Sequence, residues 1–192
     1  MSDSERDEEP PVQAVVLDIF PNGRSSDGRS GYGKDPLAYA LGTRDFRLFE
    51  VTFESTPEVG IDDYVDVDPP AENVKRIRNV EYDDLSGGAQ SELEYVVADI
   101  VEADEDRFVD FYNDAQPITL RLHQLNLLPG IGKKLRNSIL DQRKQQPFQS
   151  FEDLEERVAG LHNPQEVLVE RIIEELRDDD LKYKTFVGRR DE

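Results

Sequence analysis

The chain has no cysteine, few lysines and no long apolar run, and each absence narrows what the protein can be. Without cysteine there are no disulfides and no thiolate metal ligands. No apolar stretch approaches the roughly 20 residues that a membrane-spanning helix needs, and the mean hydropathy of −0.69 agrees. Residues 1–11 are acidic and lack an apolar signal-peptide region, so we expect a cytoplasmic protein without membrane contacts.

Acidic residues dominate the charge. There are 43 Asp and Glu against 23 Lys and Arg, a net charge of −20, and only 7 of the cations are lysine. The acids are spread along the whole sequence, which is typical of proteins kept soluble in molar intracellular salt, so we predict a halophilic archaeal origin. The alternative, that the acidic surface mimics a nucleic acid or binds a basic partner, stays open.

One segment breaks this pattern. Residues 121–150 hold six basic side chains against one acid, a local charge of +5, so the other 162 residues carry −25. A solvated helix of this protein would resemble its acidic surroundings. The contrast therefore points to an anionic partner.

The spacing of the apolar residues changes along the chain. Between residues 12 and 82, five short strand-like runs predict a small barrel of the OB or SH3-like type, with OB preferred. From Ala89 to Val101 the apolar residues recur at the spacing of an amphipathic helix, and a second short helix is expected over about 105–113. From residue 117 to about 176 we expect helices with short breaks.

The segment 128–134, LPGIGKK, lies between two of these expected helices. The first is expected to begin at Pro117 and to run to Leu128, where Pro129 and Gly130 stop it. The second is expected to begin near Lys133.

This segment has the chemistry of a phosphate-binding turn. Gly130 and Gly132 flank a single apolar anchor, Ile131, and glycine at both positions permits positive φ and close approach of another backbone. The amides at the start of the second helix are unpaired, and they lie where the helix dipole is positive, so they favour an anion. The cations expected around this turn are Lys133, Lys134, Arg136, Arg143 and Lys144.

The turn and its flanks resemble the helix-hairpin-helix motif of nucleic-acid-binding proteins, which holds the sugar–phosphate backbone without reading bases. One position departs from the motif, since Arg136 stands where a small residue is usual. Arg136 is therefore expected either to widen the packing of the two helices or to point outward to phosphate. The matching residues are Leu125, Leu128, Gly130, Ile131, Gly132, Ile139 and Leu140.

A second copy of the motif is indicated downstream. Gly160 matches Gly130 at a distance of 30 positions, but His162 replaces the second glycine and Glu166 and Glu170 replace the basic flank. We expect this copy to be mainly structural and to pack against the first.

Most of the chain, roughly residues 12–187, is similar to an uncharacterised archaeal family, domain of unknown function 655. The resemblance implies an OB-like domain joined to a helix-hairpin-helix domain, and a role in binding nucleic acid. The residues that carry it are Val16-Leu17-Asp18, Tyr82-Asp83-Asp84-Leu85, Ala89, Glu92-Leu93, Phe108-Val109, Phe111-Tyr112-Asn113, His123 and Leu127 to Lys134.

These observations predict an α+β protein, with a small N-terminal five-stranded OB-like β-barrel followed by an all-helical tandem helix-hairpin-helix domain. The expected boundaries are an acidic tail over 1–11, the barrel over 12–82, connecting helices over 83–116, the helix-hairpin-helix domain over 117–180 and a loose charged tail over 181–192.

A second contact surface is predicted on the barrel. The loop 23–34 between the first two strands and a basic cluster on the fifth strand would lie beside a ligand groove, and an aromatic ring in the loop could stack on a base. A flexible hairpin loop explains the same residues equally well. The candidates are Arg24, Arg29, Tyr32, Lys34, Lys75, Arg76 and Arg78.

The function expected from the sequence is non-catalytic binding of nucleic acid, RNA or DNA. RNA is slightly favoured because the resembling family looks associated with the information-processing machinery, whereas the hairpin alone favours duplex DNA. The alternative is a protein-interaction scaffold in a ribosome-biogenesis or transcription assembly. No catalytic spacing, metal-ligand set or cofactor motif is evident, so we expect no enzyme activity, no metal and no cofactor.

Overall fold

The structure is a computed structural model, and it describes residues 10–24 and 34–188. The chain divides into two compact units. One comprises Met1–Val80 with Asp84–Ala89, and the other comprises Glu81–Asp83 with Gln90–Glu192. No helix of the described residues has both the length and the apolar content needed to cross a membrane.

The first unit is a curled, antiparallel sheet, to which the described residues contribute five strands. The strand order is β4-β1-β2-β3-β5, so β4 and β5 are the edge strands. The prediction of five strands is confirmed. Their bounds are Val12–Phe20 for β1, Leu37–Gly42 for β2, Leu48–Phe53 for β3, Tyr64–Asp68 for β4 and Val74–Asn79 for β5.

Alternation along the strands builds the core of the sheet. Small side chains on the central strands, such as Ala14, Ala38 and Ala40, are fully buried, and the larger Val51 and Phe53 pack in the same cluster. Small and large side chains on facing positions let a sheet curl tightly over its own side chains. The apolar side chains that alternate along the strands therefore form one buried face of the sheet.

The connecting helices follow the predicted spacing. α1 spans Gly87–Ala103, α2 spans Glu105–Asp114, and Phe108 and Tyr112 of α2 are buried. Ser86 caps α1, because its Oγ accepts a hydrogen bond from the amide of Ala89 at 3.1 Å. Ser86 thus fixes the start of α1.

The helix predicted from Pro117 to Leu128 is wrong. The side chain Oγ1 of Thr119 accepts hydrogen bonds from the amides of Arg121 and Leu122, at 3.3 and 3.0 Å, and the carbonyl of Leu122 accepts from the amide of Ile118 at 2.8 Å. A hydroxyl that captures nearby amides competes with helical hydrogen bonding. The segment is a closed turn, and only Gln124–Leu127 forms a short 3₁₀ helix.

Three further helices complete the second unit. They are α3, Lys133–Gln145, α4, Phe151–Arg157, and α5, Pro164–Arg177. The C-terminal segment was expected to be a loose tail over 181–192, but its described part is held in place. A side-chain oxygen of Glu175 accepts hydrogen bonds from three consecutive amides of residues 185–187, and Phe186 packs on Phe111 with ring centroids 4.8 Å apart.

Candidate nucleic-acid interface

The turn before α3 is open to solvent and anchored from below. Leu128 and Ile131 are buried, and the amide of Ile131 donates to the carbonyl of Leu128 at 3.2 Å. Gly130 has φ +79°, a conformation that favours glycine, and a Cβ added there would meet nothing within 4 Å. The buried pair fixes the turn and leaves its glycine outside.

Gly132 is also exposed, but its backbone conformation differs from that of Gly130. Its φ of −86° and ψ of −170° are extended, so any residue could adopt them, and the positive φ that glycine permits is not used here. A Cβ at Gly132 would also meet nothing within 4 Å. Glycine is therefore not required by the fold at this position, and a side chain would only occupy the open space in front of α3.

The first amides of α3 have no acceptor among the residues that the structure describes. Gly132 is the N-cap and offers no side chain, so the first bond of the helix runs from the amide of Arg136 to the carbonyl of Gly132, at 2.9 Å. The amides of Gly132, Lys133 and Lys134 are left as donors, and the first turn contains no acid. Unpaired amides at the positive end of a helix dipole bind anions.

The start of α4 shows what a satisfied helix end looks like in this protein. Ser150 caps it by accepting from the amide of Asp153 at 2.9 Å, and two acids, Glu152 and Asp153, occupy its first turn. Both features neutralise the positive end of the helix. The open end of α3 is therefore not general in this fold.

The predicted cations fall into two groups. Lys133, Lys134 and Lys144 are exposed, and within 10–24 and 34–188 none of them forms an ion pair. These three are available to a ligand. The two arginines donate hydrogen bonds within the helical unit.

Arg143 is a structural residue. Its guanidinium donates to the carbonyls of Tyr112 and Ala115 at the end of α2, at 3.1 and 2.9 Å, and burial lowers its pKa. Helix ends leave such carbonyls unpaired, and an arginine is well suited to cap them. The prediction that Arg143 surrounds the turn as a phosphate contact is corrected, because its hydrogen bonds hold α3 against α2.

Arg136 points into the hairpin rather than away from it. Its Nη1 donates to the side-chain oxygen of Asn126 at 3.0 Å, and its Nε donates to Asn137 at 3.3 Å. The large side chain at this position is therefore used as a brace between the 3₁₀ helix and α3.

Asn126 and His123 support the turn, and sequence reasoning did not select Asn126. The oxygen of Asn126 accepts from the amide of His123 at 3.1 Å, and its Nδ2 donates to the carbonyl of Ile131 at 3.2 Å. Nδ1 of the buried His123 accepts from the amide of Leu125 at 3.1 Å. The signal that could have identified them is the spacing of a capping box, a polar residue followed three positions later by an amide side chain.

The second turn repeats the geometry of the first without its chemistry. Gly160 has φ +88°, and the amide of Leu161 donates to the carbonyl of Val158 at 3.2 Å, as Ile131 does to Leu128. However, α5 begins with Pro164, which has no amide hydrogen, and Glu166 lies in its first turn. This helix end does not favour an anion.

Three of the five described cations proposed on the sheet unit are engaged within it. Arg24 donates to the hydroxyl of Tyr39 and to the carbonyl of Asp84, both at 2.8 Å, and Lys75 pairs with Asp35 at 2.7 Å. Arg78 pairs with Glu50 at 2.9 Å, a hydrogen bond that raises its pKa.

The remaining barrel candidates are less constrained. Arg76 is exposed, and Lys34 donates to the carbonyl of Arg24 at 3.4 Å. Arg29 and Tyr32 lie outside the described residues. Among the described residues, no group of three or more His, Asp or Glu side chains could hold a metal ion.

The fold and the site define a class: mixed α+β proteins in which a curled five-stranded sheet precedes a helical unit with an exposed amide turn. The chain belongs to the family "Protein of unknown function (DUF655)", whose model matches residues 11–188. It is 37% identical over 177 residues to the uncharacterised protein MJ0038 of Methanocaldococcus jannaschii, covering 91% of this chain and 78% of that protein. It also matches the crystal structure of Af1531 from Archaeoglobus fulgidus, with a TM-score of 0.83, 40% identity, and coverage of 92% of this chain and 99% of that one.

Proposed function

We propose that this protein is a non-catalytic nucleic-acid-binding protein that grips the phosphate backbone with the turn at Gly130–Lys134. The observation that carries the proposal is the set of free amides of Gly132, Lys133 and Lys134 at the start of α3. The space beside Gly130 and Gly132 is open, since a Cβ added at either position would meet nothing within 4 Å. A phosphate oxygen placed before the start of α3 accepts from these amides. The exposed Lys133 and Lys134 supply the counter-charge there, whereas Lys144, in the last turn of α3, is placed to contact only a phosphate further along the backbone.

Backbone contacts of this kind position a protein on its nucleic acid but do not read sequence. We therefore infer weak base preference. The resemblance to the helix-hairpin-helix motif supports the same function, and the repeated geometry at Gly130 and Gly160 supports the tandem arrangement.

The diffuse acidity is compatible with this binding in the molar salt of a halophile. At about 1 M salt the Debye length is about 3 Å, so repulsion between the distant acids and a phosphate is screened while direct contacts survive. Hydrogen bonds from fixed amides are short-range interactions. The turn is thus suited to an anion in a protein whose net charge is −20.

The sheet unit is part of the proposal as an OB-like second surface. Its support is the count of five strands, and the edge positions of β4 and β5 among the described strands match a partly open barrel. Since Arg24, Lys75 and Arg78 are engaged in internal contacts, we place little of the binding there. Arg76 and Lys34 are the described cations that remain for it.

The test is a backbone-directed substitution at Gly132. Gly132→Val is compatible with the extended backbone but fills the space that a phosphate would occupy, so it should abolish binding to labelled DNA and RNA, duplex and single-stranded, in anisotropy titrations. Gly132→Ala should weaken binding by about tenfold, equivalent to about 1.4 kcal/mol. The matched control is Gly87→Ala, because a Cβ at Gly87 also meets nothing within 4 Å.

Circular dichroism should show unchanged helicity in all three variants. The proposal is overturned if the wild-type protein binds none of the four nucleic acids at low salt, or if Gly132→Val binds as the wild type does. A protein partner that is retained after nuclease treatment, without nucleic-acid binding, would favour the scaffold instead.

A further inference from the structure

The turn formed by residues 117–123 presents Leu120 to solvent more openly than any other large apolar side chain that the structure describes. Its relative exposure is 107%, against 69% for Tyr95, 55% for Tyr64 and 48% for Ile61. A single exposed leucine is ordinary on a protein surface. Leu120 differs from that case in how it is held and in what surrounds it.

The turn that carries Leu120 is closed by a set of hydrogen bonds. Thr119 Oγ1 accepts from the amides on the far side of the tip, and the amides of Ile118 and Thr119 both donate to the carbonyl of Leu122, at 2.8 and 3.0 Å. At its base, the side chain of Gln124 accepts from the amide of Gln116 at 2.8 Å, and the carbonyl of Gln116 accepts from the amide of Gln124 at 3.0 Å. These hydrogen bonds fix the backbone that carries Leu120 before it binds, which lowers the entropy lost on binding.

The same turn is joined to the phosphate site. His123 closes the turn and caps the 3₁₀ helix, and Asn126 connects the amide of His123 to the carbonyl of Ile131. Leu120 and the amides before α3 thus stand on one hydrogen-bonded framework within one unit of the protein.

The charge of the sequence around Leu120 favours an anionic partner. From Ala115 to Leu140 there are 26 residues without an acid, although acids are 43 of the 192 residues and an even spread would place about six in such a segment. The segment contains Arg121, next to the tip, and three of the cations at or behind the amide turn. The exposed apolar tip and the phosphate site therefore share one electropositive stretch.

The small apolar area of the tip, a single leucine, favours a nucleic-acid partner over a protein partner. A stable protein–protein interface buries about 800 Å² on each side, and no other exposed large apolar residue of the described chain lies in this segment. Proteins that unstack a DNA base step, by contrast, do so with a single aliphatic or aromatic wedge inserted from the minor groove. The shallow minor groove of A-form RNA offers a poorer fit for one aliphatic tip.

We propose that Leu120 is a wedge that enters a base step of duplex DNA while the turn at Gly130–Lys134 holds the backbone. This rests on the proposed function and narrows it, because it selects double-stranded DNA over the RNA that the family resemblance slightly favoured. Easily unstacked steps, pyrimidine followed by purine, are the preferred sites.

The experiment uses a DNA duplex with a fluorescent adenine analogue at a central pyrimidine–purine step, where stacking quenches its emission. Binding of the wild-type protein should raise the emission, and Leu120→Ala should lose most of that rise and lower the affinity by about tenfold, which corresponds to about 1.4 kcal/mol. Leu120→Met should retain the rise. Thr119→Val, which keeps Leu120 but removes the hydroxyl that braces the turn, should reduce it.

The control is Ile61→Ala, which removes another exposed aliphatic side chain, from the sheet unit, and should change nothing. An RNA duplex carrying the same analogue forms the second arm, and a rise there that also depends on Leu120 would overturn the choice of DNA.

Tight DNA binding with equal emission from wild type and Leu120→Ala would overturn the wedge and leave the proposed function intact. No binding by the wild type to any nucleic acid would overturn the proposed function itself, and loss of a protein partner in Leu120→Ala without any emission change would assign Leu120 to protein docking.

Discussion

Arg136 and Asn126 are joined by a hydrogen bond of 3.0 Å that links α3 to the 3₁₀ helix preceding the turn. Asn126 uses the same oxygen for the amide of His123 and its amide group for the carbonyl of Ile131. One side chain therefore connects the two sides of the proposed phosphate site. The large residue at 136, which departs from the helix-hairpin-helix pattern, has a partner that accounts for it.

Replacing Asn126 should loosen the turn. Asn126→Ala removes three hydrogen bonds, and at about 1 kcal/mol each for the two to the backbone we expect about 2 kcal/mol of destabilisation in urea unfolding, with weaker DNA binding. Asn137→Ala, which removes only the 3.3 Å contact to Arg136 Nε, should change stability by less than about 0.5 kcal/mol. Equal effects of the two variants would show that Asn126 does not support the turn.

The two lysines at the start of α3 should account for part of the salt dependence of DNA binding. Each phosphate contact contributes about 0.9 to the slope of log affinity against log salt on duplex DNA, so Lys133→Ala with Lys134→Ala should reduce that slope by about two. The change reflects fewer released counterions. Anisotropy titrations at several potassium chloride concentrations measure it.

A charge-matched double variant controls for net charge. Lys182→Ala with Lys184→Ala removes the same charge from the C-terminal segment and should leave the slope as in the wild type. Should both pairs shift the slope alike, binding would follow overall charge and not the turn.

His123 should make stability depend on pH in one direction. Its ordinary pKa is 6.5, and burial together with the charges of Arg143 and Arg136 lowers that pKa in the folded protein. Between the lowered value and 6.5 the unfolded chain binds more protons, so stability should fall as pH falls through 6.5 towards the folded pKa, and should be unaffected by this group above 6.5. Protonation also removes the Nδ1 acceptor that caps Leu125.

The pH effect is measured by urea unfolding between about pH 5 and 8, where histidine titrates. His123→Asn keeps a capping side chain without a titrating ring, and its stability should lose this part of the slope. His162→Asn changes the exposed histidine before α5 and serves as the control. An unchanged slope in His123→Asn would show that other groups cause the pH dependence.

Periodicity predicted the regular elements well, because alternation and the helical repeat record which face is buried. It failed over 117–128, where the leucines at 120, 122, 125 and 128 suggested a helix, because the hydroxyl of Thr119 takes the amides a helix would use. Local charge counts found the exposed lysines of the turn.

Charge counts could not separate a free guanidinium from one that caps a helix, as Arg143 does. That distinction depends on which carbonyls tertiary packing leaves unpaired, here those of Tyr112 and Ala115. The same limitation applies to the charged segment after α5. Its hydrophilic composition suggested a loose tail, but its amides donate to the carboxylate of Glu175 in the last turn of α5.

Glu175 should therefore be among the most sensitive positions of the helical unit. It is fully buried, accepts from the amides of Thr185, Phe186 and Val187, and pairs with Arg171 at 3.1 Å. Glu175→Gln leaves Arg171 buried beside a neutral group and points an amide donor at other donors, so we expect about 3 kcal/mol of destabilisation, as for other broken buried pairs.

Glu174→Gln is the matched control, because Glu174 is half exposed and contacts the same arginine at 3.5 Å. It should change stability by less than about 1 kcal/mol. Hydrogen exchange should show the amides of residues 185–187 protected in the wild type and in Glu174→Gln and rapidly exchanging in Glu175→Gln, and protection in all three proteins would mean that the carboxylate does not hold this segment.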